Sequence, residues 1–88
     1  MDKPIVKVHW YDTSFWDHST PMTEKEVLRD ASPMPVTTYG ILLRDATDVV
    51  LAGSIGYDDG EPNYLDIHCI PKEVVKSIVE IGKSQDES

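Results

Sequence analysis

The chain has 88 residues, 40% of them apolar, with two Trp, four Tyr and one Phe, and 16 Asp and Glu against 8 Lys and Arg. That length builds one core and leaves no material for a second, and the apolar content excludes a disordered chain. The formal charge of −8 repels phosphate backbones and anionic headgroups, so generic nucleic-acid binding and membrane attachment are excluded while a basic protein surface is attracted.

In chain order, Val6, Val8 and Trp10 alternate with Lys7 and His9 over Ile5 to Trp10, the period of two of a strand with one buried face. Tyr11 to Pro21 is rich in turn-forming residues and carries Phe15 and Trp16, and it reads as a loop holding large rings. Thr23 followed by Glu26 fits a capping box, and Val27, Leu28 and Ala31 supply a short apolar face before Ser32-Pro33, so one short helix is expected there. Pro35 to Arg44 and Val49 to Ala52 form a hairpin around a turn at Asp45 to Asp48. A second turn at Asp58 to Asn63 leads into a strand over Tyr64 to Ile70, with Leu65, Ile67 and Cys69 on its inward face.

After Ile70-Pro71 the residues fit either a helix over Lys72 to Gly82 or a single turn leading into a strand formed by Ser77 to Ile81. The alternation of Val79 and Ile81 favours the strand, which would cover an otherwise open sheet edge. Residues 1–82 thus read as one domain and the polar residues 83–88 as a disordered tail. Four to five strands, a long first loop, one short helix and a turn before the last strand describe a mainly β fold, a small barrel of SH3-like or Sm-like type. Cys69 has no partner for an internal disulfide, no apolar secretory segment opens the chain, and no run reaches the length of a membrane span. A reducing cytoplasm is the expected compartment.

No local signature sets a nucleophile beside a base, and Cys69 is expected in the core, inert and separated by the sheet from His68. His9, His18 and His68 match no zinc spacing, although His9 and His68 would approach if their strands paired. Asp58-Asp59-Gly60-Glu61 lacks the ligand pattern of a calcium loop, and the glycines do not open a helix as a phosphate loop requires. Neither an enzyme, a metal site nor a cofactor is expected. The candidate binding residues are Tyr11, Phe15, Trp16 and His18 of the first loop, with Tyr39, Tyr57 and Arg44, since aromatic side chains on loops supply much of the energy of contact. Phe15 and Trp16 read equally as a lid over the end of the barrel.

The succession Val8-His9-Trp10-Tyr11-Asp12, the Trp16 loop, the short acidic helix, Tyr39-Gly40-Ile41-Leu42, Val50-Leu51-Ala52 and Ile70-Pro71 followed by Val74 and Ile78 resembles a group of small bacteriophage and prophage proteins. The resemblance spans nearly the whole chain and implies a phage origin and an SH3-like barrel; it carries over no catalytic residue. It sets the expected function as a non-catalytic phage accessory protein, made in the host cytoplasm, that binds a host protein and counters host defence. The alternative is a homo-oligomer that sequesters a nucleotide-like immune signal between subunits, aromatic rings stacking on the base and Arg44 or Lys7 meeting the phosphates. A purely structural role as a subunit of a phage particle or ring is compatible with the same residues.

Overall fold

The computed structural model describes residues 3–13, 21–30 and 33–84. Along the chain these form β1 (Lys3–Asp12), α1 (Glu24–Asp30), β2 (Met34–Asp45), β3 (Asp48–Asp58), β4 (Glu61–Pro71), a 3-10 turn (Lys72–Val74) and β5 (Val75–Ser84). The strands make one antiparallel sheet in the order β4-β3-β2-β1-β5. The sheet is not closed into a barrel: β4 and β5 are its two edges. Among the described residues no helix is long and apolar enough to cross a membrane.

The core explains how the sheet bends. Val6 and Val8 of β1, Val49 and Leu51 of β3 and Ile70 of β4 form one buried cluster, with Trp10, Leu42, Val74, Val75 and Ile78 packed against it. Strand β2 lies between β1 and β3, so their side chains meet only because the sheet curls. β2 is shared between the two halves: Met34 to Ile41 pair with β1, whereas Ile41 to Asp45 pair with β3. Gly40 sits at the change of partner. A Cβ on it would fall 2.9 Å from the Ala52 carbonyl oxygen and 3.0 Å from the Leu51 Cβ, so the close approach of β3 excludes any side chain there. Leu43 is the extra residue of a bulge between Leu42 and Arg44, which sharpens the same bend. At the far end the 3-10 turn brings Val74 onto the cluster, and Lys72 donates its backbone N–H to the Thr47 carbonyl at 3.0 Å.

The turns follow from residue type. Asp59 and Gly60 have φ of 52° and 79°, the paired positive angles of a two-residue type I′ hairpin, which Asp-Gly adopts at low cost. Thr23 caps α1: its hydroxyl accepts the Glu26 backbone N–H at 3.2 Å and donates to the Glu26 carboxylate at 3.0 Å. The segment after Pro71 is the turn and strand read from the alternation of Val79 and Ile81, although β5 runs on to Ser84.

One expectation is corrected. Cys69 is exposed, and so are Leu65 (56%) and Ile67 (53%); the residue of β4 that enters the core is Ile70. β4 is an edge strand, and only its Ile70 end, across from Val49, lies over the cluster. His9 and His68 do not approach through paired strands, because β2 and β3 separate β1 from β4. The apolar residues of α1 are not packed away either, since Val27 is 43% and Leu28 71% exposed; Ala31 lies outside the described residues.

Candidate binding face

Residues directly across an antiparallel pair share a face, as do residues two apart along a strand. The side of β5-β1-β2 turned away from the Val8-Leu51 cluster therefore carries Lys3, Ile5, Lys7, His9 and Tyr11 from β1, Pro35, Thr37, Tyr39 and the buried Ile41 from β2, and Ser77, Val79, Gly82 and Ser84 from β5. None of these is Asp or Glu, on a chain whose net charge is −8. Acidic residues of β1 and β5 fall elsewhere: Glu80 pairs with the inward Val6, and Asp12 closes β1 opposite Met34. β1 and β5 also hold Lys3, Lys7, Lys76 and Lys83, half of the chain's basic residues. Of these, Lys3 and Lys7 lie on this face by register, whereas Lys83 stands opposite Pro4 and pairs with Glu80 at 3.7 Å.

The face is built in rows. Val79, Lys7 and Tyr39 stand side by side across three strands, Tyr39 with 59% of its surface exposed. In the next row Ser77, His9 and Thr37 align, and His9 Nδ1 shares a hydrogen bond of 2.9 Å with Thr37 Oγ1, which orients the imidazole along the sheet. Tyr11 and Pro35 follow. In the other direction Ile5, Ile41, Ala52 and Ile67 form an apolar row that crosses into β3 and β4, with Ile41 and Ala52 buried and Ile67 exposed. On the inward side, Trp10 donates its indole N–H to Thr38 Oγ1 at 2.9 Å, so the large ring beneath the face is fixed and its polar atom satisfied.

The sequence-derived candidates separate into three groups. Tyr11 and Tyr39 lie on this face, about 14 Å apart along the strand direction by strand geometry. Phe15, Trp16 and His18 lie outside the described residues. Arg44 and Tyr57 are elsewhere. Arg44, at the end of β2, makes a bidentate pair with Asp48, Nε to Oδ1 and Nη2 to Oδ2 both at 2.8 Å. Tyr57 stands near the β3-β4 turn. Lys7, named from the sequence only as a phosphate contact, lies on the same face, as do His9, Thr37 and Val79, which the sequence did not single out for binding; their grouping follows from the register of β2 and β5 beside β1.

The Arg44-Asp48 pair reaches Cys69, whose thiol donates to Asp48 Oδ2 at 3.2 Å. The hydrogen bond to the carboxylate holds the Cys69 thiol above its ordinary pKa, and the hydrogen bonds from Arg44 and then Cys69 hold the Asp48 carboxyl below its own. The Arg44 guanidinium is correspondingly raised by Asp48. A protonated thiol and a carboxylate held by a guanidinium make neither a nucleophile nor a free base. Lys72 pairs with Asp45 beside them, so the cluster ties the β2-β3 turn to the end of β4. Among the described residues no group of three or more His, Cys, Asp or Glu gathers as for a metal ion.

A second surface has the opposite charge. Beyond Ala52, β3 has no further pairing with β2 and continues with β4 alone, so Gly53 to Asp66 form a two-stranded arm. From Val49 to Pro71 the chain carries Asp58, Asp59, Glu61 and Asp66 and no Lys or Arg. Asp66 departs from strand geometry at φ 57°, accepts the Ser54 hydroxyl at 3.2 Å, and stands against Gly53, where a Cβ would lie 3.1 Å from its own. The arm agrees with the elongated shape of the molecule, 58 Å by 24 Å by 20 Å. Compared with known protein families, curated proteins and solved structures, the chain matches none.

Proposed function

We propose that this protein is a non-catalytic binding module whose working surface is the outward face of β5-β1-β2. One observation carries the reading: on a chain of −8, the face that gathers Tyr39, Tyr11, His9 and Lys7 has no carboxylate among the described outward residues of its strands. Exposed tyrosines supply contact area with a polar tip at small entropic cost, and lysines within an apolar surround select an acidic counterpart. The partner is therefore a macromolecule that presents carboxylates together with apolar or aromatic groups. The likeness to phage proteins supplies the setting, in which that partner is a host protein in the cytoplasm. We read the curled sheet as an SH3-like barrel left open between β4 and β5, a scaffold on which one face stays free for contact.

The test is direct binding of a fluorescein-labelled hexaglutamate peptide, followed by anisotropy. The wild-type chain binds, weakens steeply as salt rises, and loses binding in Lys7→Glu. Binding that ignores salt and Lys7→Glu, or no binding at all, overturns the assignment.

A further inference from the structure

The acidic partner that the β5-β1-β2 face fits is present in the chain itself. The β3-β4 arm carries Asp58, Asp59 and Glu61, all exposed, and beyond Ala52 its two strands pair in the sheet only with each other among the described residues. The face carries Lys7 with exposed Val79 and Tyr39 on either side of it, Lys3 farther along β1, and no outward carboxylate among the described residues of these strands. Each surface has what the other lacks. The arm is attached at β3 and β4, on the far side of the sheet from β5, so it reaches outward from one molecule toward another.

We infer that two copies of this chain associate arm to face, the acidic β3-β4 arm of one lying across the Lys7-Tyr39 surface of its partner. This rests on the reading of the face as the working surface and names its first occupant. The contact is heterologous: two different patches meet, and it closes either by reciprocal exchange between two copies or by a ring of more. The contact brings opposite charges together and keeps like charges farther apart, so local attraction opposes the overall repulsion between two chains of −8. Salt and concentration therefore control it, and an outside acidic partner competes for the same face.

The experiment is sedimentation equilibrium of the full chain at low ionic strength and at about 1 M salt, where the Debye length falls to about 3 Å. Wild type, Lys7→Glu, the arm variant Asp58→Lys with Glu61→Lys, and the combination of all three substitutions are compared. Expected are association of the wild type at low salt, its loss at high salt, at least about tenfold weaker association for either single-surface variant, and recovery to within about threefold in the combination. Recovery distinguishes charge complementarity from damage to folding. A wild type that stays monomeric at high concentration, association indifferent to salt and to both variants, or a combination no better than its parts would overturn the inference. Hexaglutamate binding separates the two levels: a monomeric protein that binds the peptide through Lys7 loses only the arm-to-face contact, and one that does neither loses the assignment of the face as well.

Discussion

Cys69 shows how one hydrogen bond changes what a residue is for. Its thiol is exposed, yet it donates to Asp48, whose carboxylate is already held by both nitrogens of the Arg44 fork. Folding raises the thiol pKa, so this contribution to stability is complete below the ordinary thiol range and lost as pH rises through the raised value. For Asp48 the sign reverses: its lowered pKa contributes above the ordinary carboxylate range and is lost as pH falls through the lowered value. Alkylation by iodoacetamide at mildly alkaline pH is accordingly slow in the wild type. Asp48→Asn removes the acceptor charge and leaves Arg44 nearby, and the expected outcome is faster alkylation with its midpoint shifted to lower pH. Equal rates in the two proteins would contradict the assignment. The environment of Cys69 was not legible in the sequence, because Leu65, Ile67 and Cys69 alternate as an inward strand face does. Alternation identifies two faces and leaves open which is covered, and at this edge the covered residue is Ile70.

At the scale of elements, the bend in β2 is the feature on which the core depends. Gly40→Ala places a methyl against the Ala52 carbonyl and Leu51, and overpacking of this kind costs about 1–3 kcal/mol, measured by urea denaturation. Leu51→Ala, which empties a fully buried site in the cluster, costs about 2–5 kcal/mol in the same assay. The helix behaves otherwise. Thr23→Ala removes a cap worth about 1 kcal/mol, but Val27 and Leu28 are exposed, so the loss is expected as faster amide exchange in α1 with little change in the urea midpoint of the whole domain. A shift of that midpoint equal to the loss in α1 would show that the helix is coupled to the core. The strands and both hairpins could be read from the sequence because turn chemistry at Asp58 to Gly60 and the alternation in β1 are local signals. The 3-10 turn and β5 were legible for a similar reason. That β2 changes partner at Gly40 was not, since it depends on an approach between residues of two strands.

For the whole molecule the decisive property is how charge is distributed over the fold. The composition places −8 on the chain, and by itself that suggests an acidic surface throughout. Folding instead sorts it, with a β3-β4 arm without basic residues at one side of the sheet and, among the described residues, a β5-β1-β2 face without outward carboxylates at the other. This segregation was hidden in the sequence because Lys3, Lys7 and Tyr39 are brought together only by the register of β1 against β2. Tyr11 and Tyr39 were singled out as candidates from residue type alone; that they share a face with Lys7, His9 and Val79 required the register.

The measurement that tests the account most directly is an NMR titration of the isotope-labelled protein with hexaglutamate, read residue by residue. The account predicts shifts confined to residues 3–11, 35–41 and 77–84, reversed by salt and absent in Lys7→Glu. Shifts that map to the β3-β4 arm or to α1, or none at a saturating concentration of peptide, would contradict it.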